Sequence, residues 1–243
     1  MKTVIFWFRN DLRLVDNPAL LRAVREADEV VPVYIFDDRT WSEERASTRR
    51  RKFQAESLAD LRSGLERRGG ALLIQSGVPR EVLRALADEY GAKAVFATKE
   101  HTTEEVEREE EVASDLVLHL EEALTLLHPD DLPFALEQLP DVFTRFRNKV
   151  EKAWVICETV GAPEAVVVPE GMTSTAWSVS DVPEDPRGVL PFKGGAAAAH
   201  ARLQHYFWEK RRLAVYKKMR NGMLGPDYSS KFSPWLANGC ISP

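Results

Sequence analysis

VIFWFRNDLRLVDNPAL (Val4–Leu20) is the stretch that decides the fold. Its first five residues form an unbroken apolar run, as in a strand buried on both faces. Asn17-Pro18 then marks a helix start. Asn supplies a side-chain acceptor as N-cap, and Pro is pre-set for the first helical position. The helix so begun turns Leu20, Ala23, Val24 and Ala27 to one face. A buried strand, a polar turn and an amphipathic helix make a first βα unit.

The same unit recurs downstream. Val30–Phe36, Ala71–Gln75, Ala92–Thr98 and Leu116–Leu120 read as further strands. Between them, Ala46–Arg68 carries Phe53, Leu58, Leu61 and Leu65 at helical spacing. Pro79–Tyr90 turns Val82, Leu83 and Leu86 inward, and Thr102–Ala113 is an acidic helix. Near-wholly apolar strands alternating with helices predict a five-stranded, parallel, doubly wound α/β sheet of Rossmann-like type over residues 1–133. From Ala162 to Ala199 five prolines (Pro163, Pro169, Pro183, Pro186, Pro191) break a polar stretch without helical period, so 134–195 reads as a long interdomain connection. Residues 196–243 turn helical and aromatic.

Composition narrows the functional classes. The 243 residues are 44% hydrophobic and 29% charged, ordinary for a globular protein, and the net charge of −5 argues against a polyanion binder by overall charge. Two cysteines with no CxxC pattern fit a reduced, cytoplasmic setting. None of the five histidines has zinc-ligand spacing with a cysteine. The apolar run before Arg9 is too short for a secretory signal, and no run reaches membrane-spanning length. The runs EEVEREEEV and Arg49–Arg51 read as solvated helix faces.

Ligands of an open parallel sheet bind outside the carboxyl ends of its strands. That rule points to Arg9-Asn10, Asp37-Asp38, Gln75–Gly77 and Thr98–Glu100. The usual dinucleotide fingerprint is missing, because the turn after the first strand has no glycine and Gly69-Gly70 precedes a strand. Lys99 and Glu100 carry the charge and hydrogen-bonding capacity to hold a heterocycle. Read from the residues alone, they equally begin the acidic helix. The second candidate lies near the end of the chain. Tyr228, Ser229, Ser230, Lys231 and Ser233 place hydroxyls and a cation before a short helix opened by Pro234 and stopped by Gly239. Free N–H groups at a helix start with hydroxyls beside them suit a phosphate or pyrophosphate. Plain N-capping by Ser233 accounts for one of those hydroxyls.

Three motifs carry a resemblance. They are FWFRNDLRLVDNPAL (Phe6–Leu20), PDVFTRFRNKVE (Pro140–Glu151) and YKKMRNGMLGPDYSSKFSPWLANGCISP (Tyr216–Pro243). In this order they resemble the photolyase/cryptochrome family, most closely its DASH-type cryptochromes. The resemblance implies an α/β antenna domain, a linker and an all-helical FAD-binding domain, of which 196–243 would be the start. It implies blue-light-driven, FAD-dependent repair of cyclobutane pyrimidine dimers, mainly in single-stranded DNA. Tyr216, Ser229, Ser230, Lys231, Phe232 and Ser233 fall on its FAD-phosphate motif. Lys99 and Glu100 fall on the motif for its folate antenna, 5,10-methenyltetrahydrofolate. Where the family commonly has Gly-Gly-Glu, this chain has Gly194-Gly195-Ala196.

The chain closes on Ser242-Pro243, a second helix-start signal, and the resemblance implies a protein that continues about as long again. Most of the flavin pocket, the electron-transfer tryptophans and most of the DNA groove are expected in that part. This chain alone is therefore expected to be inactive, and Tyr206, Phe207, Trp208, Phe232 and Trp235 to lack enough chain around them for burial. A stand-alone folate- or nucleotide-binding module, a light-signalling cryptochrome without repair activity, and a tail completed by a partner chain remain alternatives.

Overall fold

The computed structural model describes residues 1–42, 44–154, 157–178, 182–183, 187–222 and 225–243. Pro186 of the connection and Met223-Leu224 of the third motif lie outside the described residues. Five strands, β1 (Thr3–Phe8), β2 (Glu29–Phe36), β3 (Leu73–Ser76), β4 (Val95–Thr98) and β5 (Leu118–Glu121), pair in parallel in the order β3-β2-β1-β4-β5. The helices between them are α1 (Pro18–Glu26), the single turn α2 (Asp38–Trp41), α3 (Thr48–Glu66), α4 (Pro79–Tyr90) and α5 (Thr103–Ala113). This is the doubly wound α/β sheet that the apolar runs predict.

β1 shows why its sequence is apolar throughout. Val4, Phe6 and Phe8 enter the core on one face with Leu20, Tyr34, Leu58 and Leu65. Ile5 and Trp7 enter the other with Val33, Leu83 and Val112. Residues alternate across a strand, so a strand covered on both sides must be apolar at every position. Asn17 caps α1 as expected, accepting from the Leu20 N–H at 3.0 Å.

Three expectations are corrected. First, β3 begins two residues later than the apolar run Ala71–Gln75 suggests, because the backbone before it is taken by the connecting segment. Leu72 N–H donates to Ser174 Oγ and Ile74 N–H to Thr175 Oγ1, while Thr175 N–H donates to Leu72 O. The segment also lays Val166 into the core and stacks Trp177 on Phe36 with centroids 5.3 Å apart. It covers one edge of the sheet, which would otherwise offer unpaired backbone groups.

Second, the tail aromatics are not left bare. After α6 (Phe143–Val150), the tail comprises α7 (Ala196–Leu203), a π-helical turn (Gln204–Glu209), α8 (Tyr216–Met219) and α9 (Ser233–Ala237). Trp235 is 2% exposed, packed near Phe53 and Phe192, with its indole N–H on Lys193 O at 2.9 Å. Tyr206 is buried as well, and of the five only Trp208 is largely exposed. The α/β domain supplies the surface the tail lacks by itself. Glycines permit the close seam. A Cβ on Gly239 would come within 2.0 Å of Asn10 O, and one on Gly194 within 2.1 Å of Phe53 O. Gly239 is also at φ +63°, where other residues are strained. At Gly194-Gly195-Ala196, α3 supplies the acids: Glu56 accepts from Gly194 N–H at 2.7 Å and Asp60 from Ala197 N–H at 3.2 Å.

Third, the acidic run is not merely a solvated face. Glu109 of α5 is buried and paired. Arg51, from the basic run, is half-buried and donates to Ala46 O at 3.1 Å and to Trp41 O.

Candidate functional site

Two polar centres stand out, one at the carboxyl ends of the strands and one in the tail. The sheet reverses its order between β1 and β4, the place where an open α/β fold binds ligands. Here that crevice is filled from within. Arg9 follows β1 and its guanidinium meets Glu109 at 2.6 Å, Glu100 at 3.1 Å and the Thr98 carbonyl, and lies 4.7 Å from the Trp7 ring centre. Glu109 also accepts from the Glu100 N–H at 2.9 Å. Asp11, fully buried, accepts from Thr98 Oγ1 at 2.6 Å and from the Arg9 N–H at 2.8 Å.

Glu100 is 5% exposed and both its oxygens have partners, Oε1 with Asn10 Nδ2 at 2.6 Å and Oε2 with Arg9. Burial pushes its carboxyl above the usual range, against the opposing pull of Arg9 and Asn10. Lys99 does not join it. Its ammonium turns to Glu122 at 2.9 Å, as does His101 at 2.9 Å. Neighbouring residues thus serve opposite sides of the chain. A cavity of about 90 Å³ remains beside Glu100, lined by Trp7, Tyr34, Trp41 and Arg108 among others.

In the tail, Ser229, Ser230, Lys231, Phe232 and Ser233 form one loop. Arg202 of α7 organises it from beneath. Its side chain is 5% exposed and donates to Ser230 O at 3.0 Å, Pro226 O at 2.8 Å, Ser229 O at 3.2 Å and Asp227 Oδ1 at 2.9 Å. Burial pushes the Asp227 carboxyl up, but hydrogen bonds from Arg202 and His205 outweigh it, and Asp227 sits below the usual range.

Lys231 lies at φ +58° in the left-handed region, and Phe232 follows in the right-handed one at φ −77°, ψ −14°. Successive residues of opposite hand turn consecutive N–H groups into one concavity, a nest that binds anions. Among the described residues, the N–H groups of Lys231, Phe232 and Ser233 donate to no protein acceptor, and the hydroxyls of Ser229, Ser230 and Ser233 have no protein partner. The Lys231 ammonium rests 3.8 Å from the Tyr228 ring centre. Ser233 is the first residue of α9 rather than its cap, so its hydroxyl is not spent on capping. Tyr216, at the start of α8, is exposed, and among the described residues it makes no hydrogen bond or ring contact with the loop.

Sequence reasoning missed Arg202 and Glu109. Each lies at an amphipathic helical position where a charged residue ordinarily faces solvent. What distinguishes them is a partner far along the chain, Asp227 for Arg202 and Arg9 for Glu109, and distance along the chain has no periodic signature.

Residues 4–165 match the DNA photolyase family, about two thirds of the chain. The chain belongs to the DNA photolyase family. Its relatives within that family include DASH cryptochromes. The chain is 44% identical over its whole length to the cryptochrome DASH of Natronomonas pharaonis, covering 55% of that protein. The Synechocystis cryptochrome structure superposes with a TM-score of 0.91 at 37% identity, covering all of this chain and 53% of that one. A class III photolyase from Agrobacterium tumefaciens superposes with a TM-score of 0.81 at 27% identity, again over the whole chain and 51% of the other. The chain thus spans about half the length of the relatives it matches. Among the described residues no helix is long and apolar enough to cross a membrane.

Proposed function

We propose that this chain is the antenna-side half of a DASH-type cryptochrome/photolyase, with residues 1–133 as antenna domain, 134–195 as connection and 196–243 as the start of the FAD-binding domain. The observation that carries the reading is the open nest at Lys231–Ser233, where three N–H groups and three hydroxyls have no partner among the described residues. That donor set fits an anionic pyrophosphate. Ser229, Ser230, Lys231, Phe232 and Ser233 would hold the phosphates of FAD, with Tyr216 closing the set from α8. Bound there, FAD would supply the light-driven electron transfer of the family. This half supplies anchorage for its phosphates and a rigid seat on the antenna domain.

The folate reading of the crevice is the weaker of the two fits. Glu100 keeps spare lone pairs on its carboxylate, and exposed Asn10 reaches the mouth beside it. A space of about 90 Å³ admits only the edge of a pterin, so 5,10-methenyltetrahydrofolate would meet Glu100 and Asn10 from the surface. Lys99, held by Glu122, would face the other side of the strand end. Single-stranded DNA would be the partner of the complete protein, whose missing half a partner chain would also be able to supply, and the reduced thiols Cys157 and Cys240 fit a cytoplasmic setting.

Ligand sites usually bury ~70–90% of a ligand. The 243-residue chain should accordingly lose FAD on gel filtration, and a version of the relatives' full length should retain it. Under reducing conditions and blue light, that longer version should restore the pyrimidine absorbance of a dimer-containing single-stranded oligonucleotide. Repair by the 243-residue chain with added FAD would refute the reading of this chain as a half-site. Flavin retention without repair by the longer version would favour a signalling cryptochrome.

A further inference from the structure

We propose that Arg202 is the positioning residue of the phosphate nest: it draws three loop carbonyls inward and so fixes the outward aim of the N–H groups that meet the anion. The proposal rests on the phosphate reading above.

In a trans peptide the C=O of one residue and the N–H of the next point in opposite directions. Arg202 Nη2 holds Ser229 O at 3.2 Å, which turns the Ser230 N–H away from the guanidinium. Its Nε holds Ser230 O at 3.0 Å, which does the same for the Lys231 N–H. From there the left-handed turn at Lys231 and the right-handed Phe232 carry the alignment to Ser233. One side chain thus sets the first N–H of the nest and the residue before it.

Arg202 acts only through the loop. All three of its nitrogens are engaged inward, on Ser230, Asp227, Pro226 and Ser229. The guanidinium is locked in turn. Asp227 takes Nη1, His205 Nε2 braces Asp227 at 3.2 Å, and the Tyr206 ring lies 5.4 Å away on the π-helical turn. A lysine cannot reproduce this, because its compact ammonium cannot span three carbonyls and a carboxylate as a planar fork does.

The test is calorimetric titration of inorganic pyrophosphate into the 243-residue chain and into Arg202→Lys. Trp235 emission is followed in parallel as a report on tail docking, and the amide resonances of Ser230 and Lys231 as a report on the nest. The expected result is at least tenfold weaker pyrophosphate binding in Arg202→Lys, displaced amide resonances at those two residues and an unchanged Trp235 maximum. Equal affinity with Trp235 still buried overturns the proposal. If Arg202→Lys undocks the tail, Asp227→Asn carries the test, since it loosens the fork while leaving its carbonyl partners. About threefold weaker binding is then expected, and unchanged binding overturns the proposal. Failure of the parent chain to bind pyrophosphate would overturn the phosphate reading itself, and with it this role. An effect in the variants alone separates the two.

Discussion

Two buried arginines organise this molecule in opposite ways. Arg9 spends its donors mainly on carboxylates, Glu100 and Glu109, and closes the crevice at the strand ends. Arg202 spends three of its contacts on backbone carbonyls and leaves the N–H side of its loop open. A guanidinium that meets carboxylates neutralises a site. A guanidinium that meets carbonyls orients one. Arg13 is a second example of the latter kind, joining Asp16 O, Gly239 O and Ala123 O at 3.0, 3.3 and 2.8 Å and so tying the first loop to the tail.

The largest expected effect belongs to the neutralising arginine. Arg9→Ala strands Glu100 and Glu109 in a buried crevice without their counter-charge, and removing one partner of a buried pair costs about 3–5 kcal/mol. Urea unfolding should show that loss in the midpoint. A change under 1 kcal/mol would mean that water enters the crevice and that it is open after all.

Next comes the seam between the two centres. Gly239→Ala places a Cβ against Asn10 O at a left-handed position, and should cost about 1–3 kcal/mol. Its signature is a red-shifted Trp235 emission as α9 lifts from Phe53. An unshifted spectrum would show that the tail does not depend on this close approach.

A smaller effect reports on the crevice by pH. Glu100 sits above the ordinary carboxylate range through burial, so the folded state holds its proton longer than the unfolded chain does. Its contribution to stability therefore falls as pH rises from the unfolded value, about 4.3, through the folded one. Asp37 works in the other sense. Arg39 and Arg108 outweigh its burial and hold it low, so its contribution is lost as pH falls below the ordinary value. Glu100→Gln removes the first effect and keeps the second. Above about pH 4 the variant's melting temperature should gain on the parent's as pH rises. Parallel curves would show that Glu100 is solvated.

The smallest effect is at the nest. Ser230→Ala in a full-length version should weaken FAD binding by about 0.5–1.5 kcal/mol, one neutral hydrogen bond. No loss would remove its hydroxyl from the phosphate set.

The sheet was legible because periodicity reports burial directly. β1 is apolar at every position since both faces are covered, and Asn17-Pro18 names its own cap. The loop at Ser229–Ser233 was legible as a polar cluster before a helix, but not its backbone. No local rule places Lys231 in the left-handed region, since lysine has no preference for it. The closure of the crevice was illegible for a related reason. Glu109 sits in a run of acids, and only the fold brings Arg9, a hundred positions away, against it. Burial of Trp235 likewise depends on Gly194 and Gly239 letting two backbones meet.

The contrast between the closed crevice and the open nest can be read residue by residue in one experiment. In the amide spectrum of the isotope-labelled chain, titration with inorganic pyrophosphate should shift Ser230, Lys231, Phe232 and Ser233 and leave Arg9, Glu100 and Glu109 in place. Shifts confined to the Arg9 crevice, or none at the Lys231–Ser233 loop, would contradict the account.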